Sequence, residues 1–412
     1  MKRKQVIFML LVLAVLFGLN SLFLKLGNFI NNDNDLINHD HVSSQKLFES
    51  VWTTVKDNYY DSTLNHQLWV RWKDHYRGKI KTDEDAKVAI QSMLESLNDP
   101  YSKYMNKQEY ADQNTSINSK ITGIGVNIST ESGKIQIINV MEGTPAQNAN
   151  LQSGDFILAI DGKDVNGLPL ADVANLVRGP ENSVVELTIL RGKDKFNKKI
   201  TRKEIKIKTV KSSMDKNIGY IQIMTFIGST TPNEFLEAVE KTQKAEGLIL
   251  DLRGNTGGLL PNAIFIANLF IPEGNLVSIV GRNGEKYDIE AQNTEFNINK
   301  PMIVLVDGAS ASASEILSGA LKDYKVAKLL GTKTYGKGMV QKIIPLPNET
   351  GLNLTVAKYL TPNGTDINKK GIAPDIEVSF TLNDFKKQND VQLNTAKSIL
   401  TEMIAQQMVA KK

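Results

Sequence analysis

Two short stretches hold the side chains best suited to covalent chemistry: Gly308-Ala309-Ser310-Ala311-Ser312-Ala313-Ser314-Glu315 and Gly336-Lys337-Gly338. A serine hydroxyl attacks a carbonyl only when a nearby base takes its proton. Histidine is the usual base, but the four histidines (His39, His41, His66, His75) all lie in the N-terminal fifth of the chain. The next candidate is a lysine whose burial lowers its pKa from about 10.4 to around 7–8. A serine of the first stretch and Lys337 of the second are therefore the candidate pair.

The serine run follows Met302–Val306, which reads as a strand, and precedes Glu315–Leu321, which reads as a helix. Ser312-Ala313-Ser314-Glu315 fits the S-x-x-E capping box, so Ser312 is equally readable as a plain helix N-cap. Both readings use one geometry. A helix start offers unbonded N–H groups and the positive dipole end. Such donors can hold the oxyanion that forms when a hydroxyl attacks an amide. No G-x-S-x-G is present here, so a nucleophile elbow of the hydrolase kind is not supported.

The lysine stretch, Gly331-Thr332-Lys333-Thr334-Tyr335-Gly336-Lys337-Gly338, approaches the phosphate loop G-x-x-x-x-G-K-[ST]. Gly338 replaces the hydroxyl residue that would hold magnesium, and Met339 to Pro345 reads as a strand, not as the helix that would receive phosphate. Nucleotide binding is set aside on those two grounds. Gln341 can orient the lysine amine by a hydrogen bond. A third element, Asp251-Leu252-Arg253-Gly254-Asn255-Thr256-Gly257-Gly258, follows a buried strand over Leu248–Leu252. It is readable as a tight turn. It is also readable as a ligand-binding turn at a strand's carboxyl end, where the amide of Gly257 or Gly258 would complete an oxyanion hole.

These pieces need a scaffold, and the patterning supplies one. Residues 45–114 read as helical: Leu47, Val51, Val55 and Tyr59 recur every fourth residue, and Asp83-Glu84-Asp85 reads as an acidic first turn of a second helix closed by Asn98-Asp99-Pro100. Residues 115–208 change to short β-like runs (Ile135–Val140, Phe156–Ile160, Val184–Leu190, Phe196–Ile200) with one helix over Leu170–Val177. Residues 209–380 alternate: strands at Ile218–Met224, Leu248–Leu252, Met302–Val306 and Val326–Leu330, helices at Thr231–Ala245, Pro261–Phe270 and Glu315–Leu321. Continuous apolar strands between helices predict a sheet covered on both faces. Residues 381–412 read as a C-terminal helix. The fold class is thus α/β plus a β module.

The length of 412 residues suits two or three domains, and 41% apolar with 23% charged residues suits a globular core. A net charge of +4, much of it at the termini, gives no concentrated basic face for nucleic acid. The absence of cysteine excludes disulfides and thiolate metal sites, and no metal or cofactor is expected. Met1-Lys2-Arg3-Lys4 precedes an apolar run from Val6 to Leu24. That run spans about 28 Å as a helix, roughly one hydrocarbon core. Residues 1–26 are read as a signal anchor with its basic end in the cytoplasm, followed by a polar tether over 27–44. The expectation is a single-pass cell-membrane protein with its catalytic part extracytoplasmic; secretion after signal cleavage is the alternative.

Taken together, Ser-Ala-Ser-Ala-Ser-Glu-Ile (310–316), Thr-Tyr-Gly-Lys-Gly-Met-Val-Gln (334–341) and Asp-Leu-Arg-Gly-Asn-Thr-Gly-Gly (251–258) resemble the carboxyl-terminal processing (tail-specific) protease family. Leu97-Asn98-Asp99-Pro100-Tyr101-Ser102 is similar to that family's helical segment. Glu142-Gly143-Thr144-Pro145-Ala146, Leu151 to Asp155 and Ile160-Asp161-Gly162 resemble its PDZ domain. The resemblance implies a crotonase-like α/β serine protease core with Ser312 as nucleophile, Lys337 as base and Gln341 in support. It implies oxyanion donors at Ala313 and at Gly257 or Gly258. It matches Asp323 to a position sometimes counted as a charge relay, which its place at a helix end argues against. Thr256 stands where many relatives carry proline. The resemblance puts a peptide-carboxylate loop at Gly123, Ile124, Gly125 and Val126, with Arg178 as a sensor. It implies protein substrates with apolar C-termini, PDZ engagement gating the dyad, a homodimer or larger ring, and room for an activating partner. The competing class is a non-catalytic, membrane-tethered PDZ scaffold on a decayed protease fold, against which the intact Ser312, Lys337 and Gln341 argue.

Overall fold

The computed structural model describes residues 41–410 apart from 118–119, 132, 207, 293–296, 382–383, 385 and 388. The expected anchor and most of the tether lie outside the described residues. Among the described residues no helix is long and apolar enough to cross a membrane. The chain forms two compact units: Asn114–Ile207, and the segments on either side of it.

The first segment holds helices α1 (Ser44–Asn58), α2 (Val70–Tyr76) and α3 (Asp83–Glu95). The fourfold spacing of Leu47, Val51 and Val55 puts all three on the buried face of α1. Thr82 caps α3: its hydroxyl accepts the Asp85 amide, and the Asp85 carboxylate accepts the Thr82 amide. The acidic triplet is thus a dipole-matched helix start. After α3 the chain turns at Asn98, which has a positive φ of 54°. It then enters the short strand β1 (Lys103–Met105) and helix α4 (Lys107–Ile117).

In the second unit, β2 (Lys120–Gly123) pairs with β9 (Lys203–Lys206). A further sheet runs in the order β3 (Val126–Glu131), β4 (Lys134–Val140), β5 (Phe156–Ile160), β7 (Val184–Arg191), β8 (Asp194–Thr201), with β6 (Lys163–Asp164) on β5. Helices α5 (Pro145–Asn148) and α6 (Leu170–Val177) close its core, in which Ile135, Ile137, Ile157, Val173, Val185 and Leu187 are buried together.

The remaining segment, with α1 to α3 and β1, builds the first unit. Its main sheet has the order β10 (Val210–Asp215), β11 (Ile218–Ile223), β12 (Gly247–Asp251), β15 (Met302–Val306), β16 (Lys328–Gly331), β19 (Ile376–Glu377). All neighbours are parallel except the β10–β11 hairpin. Side chains alternate between two cores, as a period of two requires. Leu248, Leu250, Met302, Val304 and Val306 pack with helices α7 (Thr231–Lys241), α8 (Leu260–Asn268) and α9 (Ala313–Asp323). Ile249, Ile303, Leu305 and Leu330 pack with Ala396, Leu400 and Ile404 of α10 (Val391–Ala410). The C-terminal helix therefore uses that apolar stripe within its own chain.

A second, antiparallel sheet has the order β1, β18 (Thr350–Leu360), β13 (Asn275–Gly281), β14 (Lys286–Glu290), with β17 (Met339–Leu346) also on β18. The β13–β14 hairpin has no counterpart in the expected elements. Its apolar run is interrupted by Ser278, which is fully buried because its hydroxyl donates to Asp288 at 2.5 Å. Leu346, Leu352 and Leu354 of β17 and β18 share a core with α1 and α3.

Candidate active site

Three adjacent parallel strands, β12, β15 and β16, end side by side, with Asp251 in register with Leu305 and Val306 with Gly331. Each opens at its carboxyl end into one of the three chemically rich loops, 252–259, 307–312 and 332–338. Neighbouring strands lie about 4.8 Å apart, so the sheet itself gathers the loops.

The loop after β15 separates its three serines by task. Ser310 and Ser314 are fully buried, and their hydroxyls donate to the carbonyls of Leu252 and Asn255, each at 2.8 Å. Both thereby tie this loop to the one after β12. The Ser312 hydroxyl is only partly buried and donates to no acceptor among the described residues. Ser312 is the N-cap of α9, with φ 55° and ψ −115°. That conformation costs an L-residue roughly 1–3 kcal/mol and persists only where the surroundings over-determine it.

The surroundings do so through Glu315, a residue legible in the sequence only as the end of a capping box. Its side chain is fully buried. Oε2 accepts the amides of Ser312 and Lys337, both at 2.9 Å. Oε1 accepts the Gly336 amide at 2.7 Å and the Thr334 hydroxyl at 2.6 Å. The backbones of Ser312 and Lys337 must therefore lie within about 6 Å of each other, since one oxygen holds both. Tyr359, also buried, repeats the clamp from the carbonyl side: its hydroxyl meets the Lys337 carbonyl and lies 3.2 Å from that of Ser312. Burial keeps this phenol well above its ordinary pKa, so it stays a donor.

Lys337 is partly buried, and desolvation lowers its pKa; the charge of Asp99 acts in the opposite sense. The amine sits 5.0 Å from the centroid of the Tyr101 ring. Gln341, just past a bulge in β17, donates to the Thr355 hydroxyl at 3.4 Å and not to the amine. Lys337 leads into the strand β17, so no helix N-terminus is available there for a phosphate.

Two glycines bring the turn after β12 onto Ser312. A Cβ on Gly257 (φ 102°) would stand 2.7 Å from the Ala311 carbonyl oxygen, 2.8 Å from the Ser312 Cβ and 3.0 Å from the Ala313 nitrogen. A Cβ on Gly258 (φ 145°) would stand 2.3 Å from the Ile227 nitrogen. Only glycine fits either position. Of the expected oxyanion donors, Gly257 turns its amide inward, to Asn255 Oδ1 at 2.9 Å. The amides of Gly258 and Ala313 donate to no acceptor among the described residues. Asp323 is not brought to the site. It lies at the other end of α9, about 16 Å from Ser312 at 1.5 Å per residue, and accepts the Asn363 amide at 3.0 Å. A charge relay through Asp323 is corrected on that ground.

In the second unit, Gly123, Ile124, Gly125 and Val126 line a groove of about 160 Å³ with Met141, Ala174, Val177 and the exposed Arg178. It runs between α6 and β3, the end strand of its sheet. The amides of Ile124 and Gly125 donate to no acceptor among the described residues.

Comparison with known proteins agrees with this layout. Residues 217–378 match the profile of Peptidase family S41, residues 136–191 a PDZ domain, and residues 66–109 the Activating protease CtpB N-terminal domain. The chain is 37% identical over 376 residues to the Carboxyl-terminal-processing protease of Synechocystis, covering 88% of each chain. It is 38% identical over 314 residues to the Carboxy-terminal processing protease CtpA of Bacillus subtilis, covering 74% of this chain and 66% of that one. Among solved structures it resembles the photosystem II D1 C-terminal processing protease, with a TM-score of 0.57, 31% identity, and coverage of 82% and 94%.

Glu315→Gln tests the clamp. The amide group keeps one acceptor oxygen and turns an NH₂ toward backbone N–H donors. The expected result is a folded protein with at least about a hundredfold loss in kcat, as for a misplaced catalytic group. Near-normal kcat in that variant refutes the clamp.

Proposed function

The chain belongs to the carboxyl-terminal processing protease family of serine peptidases, and on that premise we propose that it cleaves proteins with a Ser312–Lys337 dyad. The observation that carries the reading is the double clamp, in which Glu315 holds both amides and Tyr359 faces both carbonyls. It supports two side chains presented from one rigid frame.

In this mechanism the neutral Lys337 amine removes the Ser312 proton as Oγ bonds to the scissile carbonyl carbon. The carbonyl π electrons move to oxygen, and the oxyanion accepts hydrogen bonds from the amides of Ala313 and Gly258. Lys337, now an ammonium, gives its proton to the departing amine as the C–N bond breaks. Water then attacks the acyl-enzyme while Lys337 again serves as base, and Oγ leaves with the returned proton. The desolvation of Lys337 supports this role, because a base must be neutral at working pH.

Substrate choice falls to the second unit. An extended C-terminal tail adds as a strand beside β3, its carboxylate meeting the amides of Ile124 and Gly125 and its last apolar side chain entering the groove near Ala174 and Val177. Arg178 at the groove rim supplies a positive charge. We assign the targets to the extracytoplasmic side. The support is the basic Lys2-Arg3-Lys4 ahead of the apolar run to Leu24, which suits a single-pass anchor. Carbonate extraction that strips the full chain from membranes would refute the anchor.

Hydrolysis of an unfolded casein-like substrate without nucleotide is expected from the wild type and lost by at least about 10³-fold in Ser312→Ala and Lys337→Ala. Because the folded lysine titrates low and must be neutral, the rate should rise with pH along a limb below the ordinary lysine range. Activity surviving in Lys337→Ala ends the dyad. A chain lacking residues 115–205 should lose its preference for apolar C-termini; unchanged preference and rate would remove the tail-reading role.

A further inference from the structure

The Lys337 amine donates no hydrogen bond among the described residues, either to the Ser312 hydroxyl or to Gln341. It is instead near the face of Tyr101, 5.0 Å from the ring centroid. Tyr101 comes from the N-terminal helical segment, and its placement is built. Asn98 turns the chain with φ 54°. The Asp99 carboxylate accepts the Tyr101 amide at 3.0 Å and the Ser102 hydroxyl at 2.6 Å. Ser102 Oγ in turn accepts the Thr355 amide at 3.1 Å. Thr355 is the register partner of Gln341 on the hairpin that follows Lys337. A five-residue turn is thus fastened to the strand beside the base.

Resting on the dyad reading, we propose that Tyr101 and Asp99 are positioning residues for Lys337: the ring face, on a turn fixed by Asp99, holds the protonated amine over Tyr101, in a waiting position off the Ser312 hydroxyl. An aromatic face attracts an ammonium through the ring quadrupole. Asp99 adds to this by favouring the charged form, against the desolvation that disfavours it. The lysine stem has the rotatable bonds to swing from ring to hydroxyl once the proton is lost. The other titratable groups around this contact are Tyr335 and Glu315, which bear on Tyr101, and Tyr359 at the Lys337 carbonyl. Glu315 is spent on backbone donors and the Thr334 hydroxyl, and Tyr359 on carbonyls. Tyr101 and Asp99 are therefore the pair through which the amine's charge can be tuned.

The experiment is the pH profile of kcat/KM for peptide hydrolysis by the full chain and by Tyr101→Phe, Tyr101→Leu, Asp99→Asn and Lys337→Ala. Leucine keeps the site dry but removes the π face, and asparagine keeps an acceptor for the Tyr101 amide but removes the charge. Each destabilises the protonated amine, so the limb should move to lower pH by about half a unit or more. Phenylalanine keeps the face and should leave the limb in place. A wild-type limb in the leucine or asparagine variant overturns the role of that residue. If Tyr101→Leu fails to fold, Asp99→Asn decides. A limb that persists in Lys337→Ala sinks the dyad itself. A limb abolished there yet unmoved in the other variants sinks only the waiting position over Tyr101.

Discussion

One buried carboxylate holds this site together. Glu315 has no solvent contact, yet four donors from two loops converge on it: the amides of Ser312, Gly336 and Lys337 and the hydroxyl of Thr334. A buried charge without such partners would cost several kcal/mol, and a bare apolar replacement would orphan every donor. The carboxylate therefore fixes more than its own place. It holds Ser312 at a φ of 55°, which a free N-cap would leave, and it fixes the distance between the Ser312 loop and the Lys337 loop. Tyr359 secures the same two residues through their carbonyls. The amides on one side and the carbonyls on the other leave the two side chains as the degrees of freedom of the site.

Burial then distributes the serines. Ser310 and Ser314 satisfy carbonyls of the glycine-rich turn, and through them that turn is drawn against the start of α9. The close approach of Gly257 to Ser312 and Ala313 follows from these bonds and from the two missing Cβ atoms. The inward bond of the Gly257 amide to Asn255 is part of the same packing. It leaves the amides of Gly258 and Ala313 as the ones without an acceptor among the described residues of this turn and helix start.

Much of this was legible in the residues because the main sheet is covered on both faces. Leu248 to Leu250 and Met302 to Val306 are continuous apolar runs, and the strands that carry them, Gly247–Asp251 and Met302–Val306, sit within a residue of where the pattern puts them. The fourfold repeat of Leu47, Val51 and Val55 likewise marks the buried face of α1. The elements that escaped are those whose burial is mixed. The β13–β14 hairpin hides a serine paired with an aspartate, and the end strand β3 carries Asn127, Ser129 and Thr130, which break the apolar pattern. At the site, S-x-x-E disclosed a capping residue but not its second loop. The bonds from Gly336 and Lys337 to Glu315 join residues more than twenty positions apart, and local pattern carries no trace of them. Tyr101 and Tyr359 escaped for the same reason: an aromatic side chain in a sequence says nothing about which backbone or amine it will face.

Two carboxylates near the lysine raise the question of whether its amine can ever be a base. An ion pair with either would raise the lysine pKa and keep it protonated. The geometry occupies Glu315 fully and Asp99 in part. Glu315 Oε2 is taken by the Ser312 and Lys337 amides, and its Oε1 by Gly336 and Thr334. The Asp99 oxygens accept one bond each, from the Tyr101 amide and the Ser102 hydroxyl. Neither makes an ion pair with Lys337 Nζ, and desolvation remains the dominant influence on the amine. A carboxylate whose lone pairs are spent on loop donors, as those of Glu315 are, shapes the loops without pairing with the Lys337 amine. Glu315, which ties the Ser312 loop to the Lys337 loop, thus turns its acceptors to the main chain and the Thr334 hydroxyl rather than to the amine.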